Sequence, residues 1–245
     1  MNEETHFIAT PEGPMGVVVK FPSGAGPFPV IVMFHDGPGM REANHINARR
    51  LASRGYYVAM PDRYHRHSDF FSVDPALMRS APDSDAVKAF REVFMATTDA
   101  HMRVDVTALL AWLGSQPAAG RGAVGAIGYC IGARTVVRTM ADHNDRFAAG
   151  VCLHPSFCAS TEPDSPHLSI AGLRGAVYVG IGDADKMQSV EMNQPFLDAV
   201  TNANGKVDIF RGADHGFAVP GGAYNDNGAN TAYREALSLF DRTLH

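Results

Sequence analysis

Apolar residues in this chain fall into two kinds of run, and their alternation predicts the architecture. Val30-Ile-Val-Met-Phe34, Tyr56-Tyr-Val-Ala-Met60, Phe147-Ala-Ala-Gly-Val-Cys-Leu153, Ala176-Val-Tyr-Val179 and Lys206-Val-Asp-Ile-Phe210 are short and mostly continuous. Strands covered on both faces of a sheet have that pattern. Between them lie stretches of helical period. Glu42 to Arg54 is stopped by Gly55, Asp83 to Phe94 is capped by Asp83 or Ser84, and Asp99 to Leu113 ends at Gly114. Two more span Val190 to Val200 and about Thr231 to Leu244, the latter turning Ala232, Leu237 and Phe240 inward. Met15 to Phe21 reads as an opening strand followed by a breaker-rich turn, a hairpin-like start. Strand and helix in alternation make a mostly parallel sheet with helices packed on it. Only Arg63 to Pro82 lacks a steady period, and a connection of that length tends to be a functional loop over a site.

One run breaks the alternation sharply. Val124-Gly-Ala-Ile-Gly-Tyr-Cys-Ile-Gly-Ala-Arg134 passes from an apolar strand into a helix through Gly128-Tyr-Cys-Ile-Gly132. A strand-to-helix turn this tight needs minimal neighbours two positions either side of its apex. It would hold the Cys130 sulfur above the sheet at a helix N-terminus, where the dipole and free N–H groups favour a thiolate. Cys130 is therefore read as a nucleophile. Catalytic groups of open parallel sheets gather beyond the carboxyl ends of the strands. Asp183-Ala-Asp185 and His215 stand at two such ends, in the order nucleophile, acid, histidine. At this point either aspartate can be the acid.

Composition narrows the reading without redirecting it. The chain has 245 residues, 45% hydrophobic and 19% charged, enough for one domain over residues 1–245. A net charge of −5 without a Lys/Arg cluster argues against nucleic-acid or membrane-surface partners and for a small-molecule substrate. Three cysteines with no Cys-x-x-Cys argue against a disulfide framework. With an acidic, non-signal-like start and no apolar span, the expected location is the cytoplasm. His35, His45, His65, His67 and His101 crowd the first half, but none has zinc-helix spacing, so no metal is expected. Cys152, inside an apolar strand, and Cys158, without an elbow, read as core and loop residues.

With these residues in view, the sequence resembles the dienelactone hydrolases, α/β-hydrolases with a cysteine nucleophile. Gly128-Tyr-Cys-Ile-Gly132, His215-Gly-Phe217, Asp185 followed by Glu191, and Tyr56 to Asp62 ahead of Tyr64 carry the likeness, from about Val17 to the last helix. It implies an α/β-hydrolase fold, a mostly parallel central sheet with helices on both faces and no separate cap domain. It implies hydrolysis of a carboxylic ester or lactone by a Cys130–His215–Asp185 triad through an acyl thioester, without a cofactor. The spacing from Asp185 to Glu191 selects Asp185 over Asp183. The oxyanion hole would come from the backbone N–H groups of Gly37 and Ile131. Asp36 stands where the family has a glutamate thought to hold the resting cysteine as a neutral thiol. Tyr64 and Phe217 are candidates for the substrate pocket. The family's arginine just beyond the histidine has no counterpart in Gly216-Phe-Ala-Val-Pro220, which points to a neutral or bulkier ester rather than dienelactone itself, and Arg79 and Arg91 read as charges on solvated helix faces. On the same triad, the alternatives are a thioesterase or acyl transferase; a ligand-binding protein of the same fold with little turnover is the other.

Overall fold

The computed structural model describes residues 1–245. Its frame is an eight-stranded sheet: β1 (Asn2–Thr10), β2 (Gly13–Phe21), β3 (Phe28–Phe34), β4 (Tyr57–Pro61), β5 (Ala119–Tyr129), β6 (Phe147–Leu153), β7 (Ala176–Gly182) and β8 (Lys206–Phe210), in the order β1-β2-β4-β3-β5-β6-β7-β8. From β4 onward every neighbouring pair is parallel. The helices are α1 (Glu42–Ala52), α2 (Pro75–Ser80), α3 (Asp85–Ala96), α4 (Asp99–Leu113), α5 (Ile131–Asp142), α6 (Val190–Asn202) and α7 (Asp226–Leu244), with a 3-10 helix at Pro166–Gly172.

Strand periodicity explains why helices cover both faces. In β3, Val30, Val32 and Phe34 point into one apolar cluster with α4, α5 and α6; Ile31 and Met33 point into the other with α1 and α7. A sheet so covered loses almost all contact with water, as its continuous apolar strands require.

The N-terminus departs from the sequence reading. The hairpin is made by β1 and β2 across Thr10-Pro-Glu-Gly13, not by β2 and the strand after it, and β2 then pairs antiparallel with β4. Strand β1 is polar and largely exposed on an edge, so it lacks the apolar run that marks the others. The irregular segment also contains the short helix α2, begun by Asp74, whose side chain accepts from Ala76 N at 2.8 Å, and Pro75.

Candidate active site

Cys130 ends β5 and precedes α5 with φ +55°, a left-handed conformation that a non-glycine residue takes only under constraint. The flanking glycines supply the constraint. A Cβ on Gly128 would run into the Gly132 backbone, and one on Gly132 into Phe34 O and, at 2.8 Å, His35 O. Helix α5 thus sits directly on the end of β3. Cys130 keeps part of its surface exposed, whereas Cys152 and Cys158 are buried, and burial pushes both of their thiols up.

His215 lies in the turn after β8 and Asp185 in the turn after β7. Asp185 Oδ2 is 2.7 Å from His215 Nδ1, while its Oδ1 accepts from the backbone N–H groups of Met187 (2.9 Å) and Gln188 (2.8 Å). Those three partners consume the buried carboxylate's capacity and orient it. Burial alone would raise its pKa, but the His215 hydrogen bond and the two amides bring it below the ordinary value. Asp183 does different work: its Oδ1 accepts from Gly212 N at 2.6 Å and stitches the two turns together.

Nε2 of His215 is buried and has no partner of ordinary hydrogen-bond geometry. It is nevertheless close to the Cys130 sulfur. Burial opposes ionisation of that thiol, but hydrogen bonding and charge from His215, then Ser156, outweigh it, and its pKa is lowered. Burial likewise opposes the imidazolium, yet Asp185 and Cys130 push His215 up to about 10. The two shifts have one cause: each charged form stabilises the other. The contact between them is looser than an ordinary hydrogen bond, as is common for catalytic pairs before substrate arrives.

Neither Gly37 N–H nor Ile131 N–H has a partner in the turns and loops. Ile131 is the first residue of α5, whose leading N–H groups have no intrahelical acceptor. The Gly37 loop is braced from three sides. Tyr64 donates its hydroxyl to Gly37 O at 2.7 Å, the His35 ring bridges Asp36 O (2.8 Å) and Arg63 N (3.4 Å), and Arg41 and Asn44 hold the Asp36 carboxylate.

Three expectations are corrected by these placements. Asp36 makes no hydrogen bond to Cys130, because the start of α1 presents Arg41 and Asn44 to it; its remaining effect on the sulfur is a field that disfavours the thiolate. Tyr64, 1% exposed, is a brace under the loop and not a pocket wall. Phe217 is fully buried in the α1–α7 cluster, its ring set edge-on to His154. Two histidines of the first half, His35 and His65, are held in the interior by hydrogen bonds. His65 meets Asp105 at 3.1 Å, Arg66 pairs with the same carboxylate, and no group of three or more His, Cys, Asp or Glu side chains is placed to hold a metal ion.

Residues without a sequence signal also reach the site. Ser156 Oγ stands 3.2 Å from Cys130 Sγ, and the His154 ring packs edge-on against His215 with centroids 5.2 Å apart. Beside Ile131 opens a cleft of about 420 Å³ whose border includes Arg63, Phe94, Thr97, Asp99, Arg134 and Asp164. Arg134 is paired with Asp99. Arg63 is only 6% exposed and has no carboxylate: it donates to Thr135 Oγ1 (3.0 Å) and Thr97 O (3.5 Å), and its Nε has no partner.

A parallel sheet of this order, with a positive-φ residue between β5 and α5 and a His–Asp pair after β8 and β7, defines an α/β-hydrolase. The profile of the Dienelactone hydrolase family matches residues 15–244, and the chain belongs to that family as a carboxylic ester hydrolase. It is similar to a Synechocystis protein provisionally named a carboxymethylenebutenolidase, 24% identical over 91% of this chain and 89% of that protein. The hydrolase pyvD of Aspergillus violaceofuscus is 25% identical over 88% of this chain and 80% of its own. Among solved structures, a provisionally assigned dienelactone hydrolase from Klebsiella pneumoniae superposes with a TM-score of 0.83 at 21% identity, covering 98% of each chain. No helix is long and apolar enough to cross a membrane.

Proposed function

We propose that the protein hydrolyses a carboxylic ester or lactone through Cys130, His215 and Asp185. The observation that carries this is the relay of contacts: an anchored Asp185 carboxylate 2.7 Å from His215 Nδ1 favours the imidazolium, and His215 beside Cys130 in turn lowers the pKa of the thiol. The reactive pair is a thiolate and an imidazolium, the ion pair that the opposed shifts of the two groups favour. The thiolate attacks the carbonyl carbon, and the Gly37 and Ile131 N–H groups receive the developing oxyanion, each donor lowering the barrier by about 3–4 kcal/mol. Collapse breaks the C–O bond, His215 Nε2 protonates the departing alkoxide, and the acyl group remains on sulfur. Neutral His215 then takes a proton from water as its oxygen attacks the thioester, and collapse returns the thiolate and imidazolium with the free acid. Asp185 keeps the Nδ1 proton in place throughout.

Arg63 favours a substrate carrying a negative group, such as a carboxylate. A buried guanidinium with no carboxylate partner and a free Nε is costly to keep unless something binds it, and it borders the cleft that also touches Ile131. Such a charge meets the need left open after His215, and the name of the Synechocystis relative denotes a carboxylated lactone as substrate.

The test is Cys130→Ala assayed on an aryl ester, a thioester, and lactones with and without a carboxylate, with intact-protein mass measured during turnover. Loss of at least roughly 10³-fold in kcat and of an acyl adduct is expected. Parental rates in the variant would remove the nucleophile assignment. Equal kcat/KM for carboxylated and neutral lactones would remove the role given to Arg63.

A further inference from the structure

After β6 the chain turns through His154-Pro155-Ser156-Phe157, and two of its residues are in left-handed backbone: φ is +39° at His154 and +56° at Phe157. Non-glycine residues take up such conformations only where surrounding contacts enforce them. Here those contacts all lead to the active site. His154 N donates to Gly180 O at the end of β7 (2.8 Å), and Ser156 N donates to Cys130 O (3.1 Å). Phe157 N donates to Gln188 Oε1 (3.0 Å), on the same residue whose amide anchors Asp185, and Arg134 of α5 donates to Phe157 O (2.5 Å). The turn is strapped to the supports of the nucleophile and the acid at once.

The strap leaves Ser156, 1% exposed, with its hydroxyl 3.2 Å from the Cys130 sulfur and with no other side-chain hydrogen bond. A hydroxyl facing a thiol can donate or accept; facing a thiolate it can only donate. Hydrogen bonds to a charged partner are roughly twice as strong as neutral ones, so the contact discriminates between the two states of sulfur. We propose that Ser156 is a catalytic residue of this hydrolase, donating its hydroxyl hydrogen to Cys130 Sγ as thiolate. Two steps depend on it. It holds the nucleophile ionised before attack, and it receives the sulfur when the water-derived tetrahedral intermediate collapses: the C–S bond breaks, the electron pair returns to sulfur, and the acid departs. In the acyl enzyme between these steps, thioester sulfur is a weak acceptor and the hydroxyl contributes little. Where a carboxylate at position 36 was expected to keep the sulfur protonated, the group in contact with it favours the opposite state.

This rests on Cys130 being the nucleophile, which turnover of Cys130→Ala decides separately; the test here reads the sulfur itself. The other titratable groups facing that sulfur are His215 after β8, Asp36 after β3, Arg63 and Tyr64 after β4, and Cys158 beyond the strap. All are retained in Ser156→Ala, which removes one oxygen and leaves the backbone bonds of the strap in place. Iodoacetamide labelling of Cys130 is followed from pH 5 to 9, with the labelled peptide identified by mass, in the parent, Ser156→Ala and Ser156→Thr. The Ala variant should move the labelling midpoint up by about one pH unit and Thr should restore most of the shift. In an ester assay the Ala variant should also lose kcat and kcat/KM together, because attack by sulfur and its release are both slowed. An unmoved midpoint in Ala, or equal shifts in Ala and Thr, would overturn the proposal; the second result would mark Ser156 as a packing residue only.

Discussion

Replacing Asp185 by Asn tests the acid through its own hydrogen bonds. The two oxygens of Asp185 are not equivalent, because Oδ1 takes two backbone N–H donors, from Met187 and Gln188. An Asn side chain must offer its carbonyl oxygen to them, since turning the amide would set its NH₂ against two donors and leave both unsatisfied. The NH₂ then faces His215 Nδ1, which can only accept. The histidine is locked with its proton on Nε2 and cannot take one from water or hold the imidazolium. The magnitude follows from the shift it abolishes: about 10 against an ordinary 6.5 corresponds to about 5 kcal/mol, shared between Asp185 and the Cys130 thiolate. A loss in kcat/KM of about 10³–10⁴-fold is expected on an aryl ester, measured from pH 6 to 10. Asp183→Asn serves as the control, since Asp183 only holds Gly212 N; it should stay within a few-fold of the parent. A loss of less than tenfold in Asp185→Asn, or a larger loss in Asp183→Asn, would refute the reasoning.

Two further outcomes follow from burial and packing. His154 is fully buried with both ring nitrogens unpartnered, and burial, then the charge on His215, holds its pKa well below 6.5. The unfolded chain therefore binds a proton that the folded one does not, and this residue costs about 1.4 kcal/mol of stability per pH unit as pH falls below about 6.5. In His154→Phe, the loss of urea stability between pH 7.5 and pH 5 should be smaller than in the parent by that slope; parallel losses would contradict a neutral buried ring. Gly132→Ala forces a methyl group against Phe34 O and His35 O, backbone atoms that have nowhere to move, at a cost of about 1–3 kcal/mol. Calorimetry should show the melting temperature lowered by about 2–12 °C, and an unchanged value would mean that α5 does not press on β3 as described.

The sheet was legible because its strands are apolar on both faces, and Cys130, His215 and the Asp183-Ala-Asp185 turn could be singled out because glycines and strand ends punctuate them, whereas the choice of Asp185 within that turn came from the family likeness. What escaped had no such mark. His154-Pro-Ser-Phe157 carries neither period nor glycine, and its two left-handed residues are set by hydrogen bonds to Gly180, Gln188 and Arg134, far away in sequence. Arg63 lies in a run of charges and histidines where burial leaves no trace. Asp36 misled for a different reason: position along the chain said which strand end it follows, but Arg41 and Asn44, five and eight residues later, decide where its carboxylate points. Tyr64 and Phe217 lie beside strand ends in the sequence, but both side chains are buried in the core, which position along the chain does not reveal.

Strand β8 has consequences for how the protein fails. It is the last strand of the sheet, paired on one side only, and its residues are partly or fully exposed, Ile209 at 53%. The turn carrying His215 hangs from it, joined to the Asp185 turn through Asp183 N to Phe210 O, Ala184 N to Ala213 O and the Asp183–Gly212 contact. Edges fray at lower cost than centres. Peeling of this one margin would carry His215 away from Asp185 after β7 and from a nucleophile still seated on the central strand β5, while Trp112, the sole tryptophan, on α4 and against His6 of β1, would register nothing. Loss of activity is thus expected to precede loss of the fold on heating, with the tryptophan signal unchanged while activity falls.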